Sequence, residues 1–275
     1  MLAVTFRTQG DPVSAMQQLK KENLALQQER DWILQTEGLE PDDLTVQPIC
    51  PKCGGTGYVG AAMCECLKEL CRQEQKKEVS ILSGSRDTFN QFRLDYYPDR
   101  IDPKFGASPR TLMERNLRAC RTYALTFTPS AGNLLFVGDT GLGKTFLSAC
   151  IARAVTDRGY SVIYEPAGRL FSKLEQAKFT PSEETRREVA RFYDCDLLIL
   201  DDLGTEMPSQ FTTAALYTLL NDRILEGKPM VISTNLNVEE LGRRYSPQIA
   251  SRLMGSFDVR RFAGEDIRIM KNRGL

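Results

Sequence analysis

The chain has no histidine among its 275 residues. That absence excludes Ser-His-Asp triads, Cys-His dyads and every His-ligated metal centre. Chemistry must therefore run on carboxylates, Lys, Arg, hydroxyls, cysteine or a bound cofactor. Net charge is missing too: 36 Lys and Arg balance 36 Asp and Glu, so no global field points to nucleic acid or a membrane surface. No apolar run approaches the roughly 20 residues that span a bilayer, and Met1 to Gly10 lacks a signal-peptide pattern. These absences predict a cytoplasmic protein without a membrane partner. What is present, 41% hydrophobic and 26% charged residues, suits one large domain or a core domain with an appendage.

Charge is balanced only in total. Residues 1–49 carry four basic and eight acidic side chains, whereas residues 241–275 carry eight basic and three acidic, so the two ends suit different partners. Residues 13–37 read as a helix, with Leu19, Leu26 and Ile33 recurring every seven positions. The neighbouring row is Met16, Asn23 and Arg30, a seam too polar for an autonomous coiled coil. Packing on its own domain and docking on a partner protein both fit. Pro41 and Pro48 bracket an acidic linker, Leu67 to Val79 reads as a short charged helix, and Gly84, Pro98, Pro103 and Gly106 mark a loop. The boundary is drawn there, giving an N-terminal partner-interaction domain over residues 1–83 and a second domain over 84–275.

Five of the eight cysteines, Cys50, Cys53, Cys64, Cys66 and Cys71, crowd into 22 residues. In a reducing compartment such a cluster reads as metal ligands rather than disulfides. Cys50-Pro-Lys-Cys53 is followed by Gly54-Gly-Thr-Gly57, and Cys64-Glu-Cys66 returns after ten intervening residues. Four thiolates in a small loop fit a structural tetrahedral Zn²⁺ that supplies folding energy to a segment too small for its own core. Cys71 stands as a possible substitute ligand. Redox chemistry or an iron–sulfur cluster is the competing reading.

From about residue 108 the pattern changes. Ser108-Pro109 is an N-cap and first-turn pair for a helix through Leu112, Leu117, Cys120 and Ala124. Strands read as Asn133–Val137, Ser161–Tyr164, Leu197–Leu200, Met230–Ser233 and Asp258–Phe262, separated by helices. The fold class is α/β with a parallel sheet. Between the first strand and its helix lies Gly138, Asp139, Thr140, Gly141, Leu142, Gly143, Lys144 and Thr145, followed by Phe146. This matches G-x-x-x-x-G-K-[ST], a loop whose backbone N–H groups form a phosphate nest at a helix N-terminus. Lys144 can reach the β- and γ-phosphates and the Thr145 hydroxyl can ligate Mg²⁺. A second apolar strand ends in Asp201-Asp202, where open α/β sheets bind ligand. Asp201 suits Mg²⁺ and Asp202 suits the attacking water. Val231-Ile-Ser-Thr234-Asn235 ends a third strand, with Asn235 the better candidate to sense the γ-phosphate or fix the water. Together these features predict binding and hydrolysis of a nucleoside triphosphate. Arg243, Arg244, Arg252, Arg260, Arg261 and Arg268 are candidates for stabilising transition-state charge, and residue chemistry alone does not choose among them.

Four motifs in order carry a family resemblance: Asn133 to Thr145, Leu198 to Gly204, Ser233-Thr-Asn235 and Ile249-Ala-Ser-Arg-Leu253. Over about residues 85–270 the chain resembles the DnaC/DnaI-type AAA+ helicase loaders, with the transposition helper IstB as close kin. Phe89-Asn-Gln-Phe92 with Tyr96-Tyr97 is similar to that family's entry into the ATPase domain. The resemblance implies a P-loop AAA+ five-stranded parallel sheet in the order 5-1-4-3-2, Mg-ATP binding and an oligomer with ATP at subunit interfaces. It places Arg252 at the arginine finger acting on a neighbouring subunit and Arg268 at the nucleotide-contacting position within its own subunit. Asp202 stands where most AAA+ members carry Glu, and the sequence ends too soon after Arg268 for a large helical lid.

The resemblance further implies an ATP hydrolase that binds the replicative DNA helicase and delivers it onto single-stranded DNA. Its N-terminal helix and zinc module would grip the helicase. Tyr164, Phe171, Lys173, Lys178, Phe179, Arg186, Arg187 and Arg191 fall where such loaders contact DNA. The alternative is an IstB-like helper acting with a transposase on duplex DNA. A small-molecule kinase is a third reading, which the Asp-Asp strand end and the late Ser-Arg-Leu motif disfavour.

Overall fold

A 26-residue helix, α1 (Pro12–Glu37), opens the computed structural model, which describes residues 12–39, 48–71, 73–74 and 88–272. The chain falls into two units, Met1–Cys64 and Glu65–Leu275. The boundary expected at residue 83, the acidic linker over 40–47 and the end of the helix expected at Leu67–Val79 lie outside the described residues; that helix is present at 65–71. Along α1 the heptad row is exposed, with Leu26 at 63% and Ile33 at 47%, while Leu34 is buried. After α1, β1 (Tyr58–Val59) and β2 (Ala62–Met63) form a minimal antiparallel hairpin.

In the second unit, two 3₁₀ turns, Phe89–Gln91 and Leu94–Tyr96, precede α2 (Pro109–Thr126). The Ser108 hydroxyl accepts from the Thr111 N–H at 3.2 Å, the expected cap. Then come β3 (Asn133–Val137), α3 (Lys144–Asp157), β4 (Val162–Pro166), α4 (Ala167–Phe179), α5 (Glu183–Asp194) and β5 (Leu197–Leu203). The chain continues through α6 (Gln210–Leu225), β6 (Met230–Thr234), α7 (Val238–Arg244), α8 (Pro247–Ser256), β7 (Phe257–Arg261) and α9 (Ile267–Asn272). The five strands pair in parallel in the order β4-β5-β6-β3-β7, the order that the resemblance implied.

The pleat explains why the strands read as continuous apolar runs. Leu134, Phe136, Leu197, Ile199 and Val231 face one layer with Met113, Leu147 and Ile151 of α2 and α3. Leu135, Leu198, Leu200 and Ile232 face the other with Leu170, Leu216 and Leu253 of α4, α6 and α8. Both faces are covered, so alternation in hydrophobicity disappears. Leu135, Phe136, Ile151 and Leu170 have no exposed surface. Arg223 of α6 is equally buried: its guanidinium donates to the carbonyls of Phe192, Tyr193, Cys195 and Pro229 at 2.8–3.2 Å. It closes the C-terminus of α5, where free carbonyls concentrate negative potential. No helix among the described residues is long and apolar enough to cross a membrane.

Candidate active site and metal centre

The loops that follow β3, β5 and β6, three neighbouring strands, converge on one cavity of about 510 Å³. Thr140 to Phe146 line it, together with Asp202, Asn235 and Arg268. Gly143 is the residue before α3 and has φ 89°, a left-handed conformation that glycine adopts without penalty. A Cβ there would also meet Tyr97 Oη at 3.0 Å and the Phe92 ring at 3.2 Å. Gly141, with φ 76°, leaves no room for a side chain against the Asp266 carboxylate, which a Cβ would meet at 2.0 Å. The Ile267 N–H donates to Gly141 O at 3.1 Å, so the loop itself anchors α9 and brings Arg268 to the cavity.

Lys144 directs its ammonium to Gly138 O at 2.6 Å, Asp139 O at 2.7 Å and Asn235 Oδ1 at 2.6 Å. Burial lowers its pKa, the carboxylates of Asp202, Asp201 and Asp139 oppose that shift, and Arg268 adds to it. Gly138 and Asp139 thus contribute carbonyls to the lysine, while Thr140 to Phe146 face the cavity. Asp201 is buried, its two oxygens accepting from Tyr164 Oη at 2.5 Å and from Ser233 Oγ. Asp202 has φ 55°, the one positive φ at a non-glycine among the described residues. It sits at the irregularity between Leu200 and Leu203 where β5 leaves register with β6. Its N–H donates to Ser233 Oγ at 2.9 Å, and its side chain turns to the cavity. Burial raises the Asp202 pKa and Asp201 adds to that; Lys144 and Arg268 pull it down. Thr145 and Asp202 line the cavity, and Asp201 lies enclosed beside Asp202 rather than on the cavity wall; a hydroxyl and carboxylates are hard oxygen, the chemistry that suits Mg²⁺.

Sequence reasoning did not assign the other end of the cavity. Phe92 stacks on Tyr97 with centroids 5.6 Å apart, and tilts against Phe146 at 5.7 Å. Tyr97 Oη donates to Leu142 O at 2.9 Å, so the segment before the sheet is bonded to the phosphate loop. Arg93 lies over the Tyr96 ring at 4.7 Å, and both line the cavity. The only signal was the aromatic pattern at Phe89, Phe92, Tyr96 and Tyr97. Among the six arginines, only Arg268 lines the cavity. Arg252 rests on the Tyr217 ring at 4.9 Å and donates to its hydroxyl at 3.0 Å. Arg244 and Tyr245 bond to Glu206, which accepts from the Gly204 N–H at 3.0 Å and so fixes the loop after β5.

The Sγ atoms of Cys50, Cys53, Cys64 and Cys66 lie within 4.8 Å of one another. Cys50 and Cys64 are 3.8 Å apart, the separation expected of two thiolates about 2.3 Å from a tetrahedral Zn²⁺. The Gly57 N–H donates to Cys53 Sγ at 3.3 Å, and Cys64 N donates to Gly57 O at 2.7 Å. The glycine turn and the β1–β2 hairpin thus bring the two cysteine pairs together. Cys71 is exposed and lies outside this group. Residues read for DNA contact divide. Tyr164 and Phe171 are buried and cannot stack with bases, and Lys173 pairs with Glu165 at 3.3 Å. Phe179 is 66% exposed with Lys178 over its ring.

A phosphate loop, paired carboxylates and a polar strand end on a sheet ordered in this way define the AAA+ class of P-loop proteins. The family model described as IstB-like ATP binding protein matches residues 104–256, over half of the chain, and the chain belongs to that family. An insertion sequence IS21 ATP-binding protein of Pseudomonas aeruginosa is 25% identical over 154 residues, 54% of this chain and 57% of that protein. The replicative helicase loader DnaC of Escherichia coli K12 is 23% identical over 137 residues, 50% of this chain and 56% of that protein. The match thus spans little more than half the length of these relatives. The crystal structure of the DnaC helicase loader superposes with a TM-score of 0.54 at 19% identity, covering 64% of this chain and 97% of that one. The DnaI structure gives 0.52 at 19%, covering 66% and 90%.

Proposed function

We propose that the chain is an ATP-dependent loader that grips a replicative DNA helicase and delivers it onto single-stranded DNA in the cytoplasm. The observation that carries the reading is the joining of two sites in one chain. The cavity is lined by the glycine-rich loop, Lys144, Thr145 and Asp202, and the four-thiol cluster lies outside the family-matched residues 104–256. In the cluster, Zn²⁺ would fold a surface for a protein partner. In the cavity, loop N–H groups bind the phosphates, and Lys144 exchanges its present acceptors for the β- and γ-phosphate oxygens. Bound Mg²⁺, held by Thr145 and Asp201, would neutralise phosphate charge. Asp202 accepts a proton from water as its oxygen bonds to the γ-phosphorus, the bond to the bridging oxygen breaks and ADP leaves. Asn235 orients that water, Arg268 stabilises the charge from within, and Arg252 does so in a neighbouring copy's site. The exposed Phe179–Lys178 pair offers a base a stacking face and a phosphate its counter-charge.

The second reading, a transposition helper acting with a transposase on duplex DNA, is favoured by the similarity to the IS21 protein. A pull-down with purified replicative helicase, with and without ATP, separates the two. Capture that Cys50→Ser/Cys53→Ser loses and Lys144→Ala alters supports the loader. No capture under any nucleotide condition, with ATP hydrolysis intact, moves the assignment to the transposition helper.

A further inference from the structure

Resting on the ATPase reading, we propose that Tyr164 is a positioning residue for the metal-binding carboxylate, holding Asp201 in the orientation that receives the cation. The pleat puts the arrangement together. Tyr164 pairs with Ile199 in the β4–β5 register, and Asp201 lies two residues beyond Ile199 on the same face. Ser233 shares that face with Val231 on β6. It is the face covered by α3, the helix that begins with Lys144 and Thr145. Tyr164 and Ser233 therefore reach Asp201 from the strands on either side, one hydroxyl to each oxygen.

A carboxylate offers about four lone-pair directions. With one on each oxygen engaged by a fixed hydroxyl, rotation about the Cβ–Cγ bond breaks both hydrogen bonds, and the remaining lone pairs keep one direction. Removing the Tyr164 hydroxyl leaves the ring in the core, among Val162, Leu197 and Ile199, but releases one oxygen. Asp201 then samples orientations that do not face the cation, and metal binding weakens without loss of the phosphate nest.

The test uses the full chain with Mn²⁺ as the probe and a non-hydrolysable ATP analogue, titrated by electron paramagnetic resonance. Tyr164→Phe is expected to weaken Mn²⁺ binding about tenfold, the scale of losing a partner that orients a metal ligand, while the analogue's affinity in EDTA is unchanged. In hydrolysis, the Mg²⁺ concentration for half-maximal rate rises by the same factor, and saturating Mg²⁺ restores the maximal rate. Asp201→Asn, run alongside, is expected to abolish the Mn²⁺ signal. Should Tyr164→Phe fail to fold, 3-fluorotyrosine at position 164 keeps ring and hydroxyl, and its ¹⁹F resonance must move when Mg²⁺ joins the bound analogue. Unchanged Mn²⁺ affinity in Tyr164→Phe, or an unmoved ¹⁹F signal, beside a deficient Asp201→Asn overturns this inference alone. A wild type that holds no Mn²⁺ with nucleotide, or an Asp201→Asn that binds normally, overturns the ATPase reading with it.

Discussion

In the sheet unit, Leu135, Phe136, Ile151 and Leu170 are fully enclosed, whereas the described residues of the first unit are buried only at Leu34, Cys53, Gly57 and Cys64. Each enclosed aliphatic or aromatic side chain is worth about 1.5–3 kcal/mol, and the sheet has dozens of partners among which to spread that gain. The first unit has two-residue strands and three of the four clustered thiols, Cys50, Cys53 and Cys64. Its described residues offer little apolar burial, so a metal held by the thiols would supply order that the sheet draws from its core. Hydrophobic burial sets the sheet unit, and coordination is the stabilisation that the clustered thiols would offer the smaller one.

Metal removal should break the comparison most visibly. Structural Zn²⁺ supplies about 10–16 kcal/mol to small domains, so a chelator should abolish amide protection over 48–66 and leave β3, β5 and β6 protected, as read by hydrogen exchange. Equal loss in both units would show that the sheet leans on the thiol cluster. Lys144→Ala should reverse the pattern by sparing both units' protection while lowering ATP hydrolysis about 10²–10³-fold, the scale of removing one charge-stabilising group. Steady-state phosphate release checks it.

Arg223→Leu sharpens the comparison from the sheet side. Four carbonyls lose their donor, and stability should fall by about 3 kcal/mol, visible as a lower denaturation midpoint of the sheet unit alone. The smallest effect is at Asp202. Its folded pKa lies above the ordinary 3.8 because burial disfavours the charge. Its contribution to stability is therefore full below 3.8 and lost as pH rises through the folded value. In metal-free buffer, Asp202→Asn should gain on wild type over that window and plateau above it. A gap that shrinks with rising pH would contradict the burial argument.

The α/β class, five strands, the glycine-rich loop and the clustering of four thiols were legible because each has a local signature: an apolar run, a glycine spacing, a cysteine spacing. Strand ends were less so. The strand expected to stop at Leu200 continues to Leu203, since Asp201 is held by hydroxyls from both neighbours and Leu203 returns to register with Thr234. Tyr164 and Arg223 were misjudged or passed over for the same reason. Tyr164 was read as a stacking surface, and a lone arginine on a helix looks solvated. Their partners, Asp201 and the end of α5, lie 37 and about 30 residues away. No spacing rule connects residues joined only by strand order.

The posture of Lys144 sets a threshold at the phosphate loop. Its three N–H donors are all taken by Gly138, Asp139 and Asn235. An anion entering the loop must outcompete three short hydrogen bonds, which a chloride or a lone carboxylate does poorly and a polyphosphate does well. When one succeeds, the Asn235 side-chain carbonyl is released at the end of β6. A polyphosphate held at β3 would thereby free an acceptor at the end of the neighbouring β6.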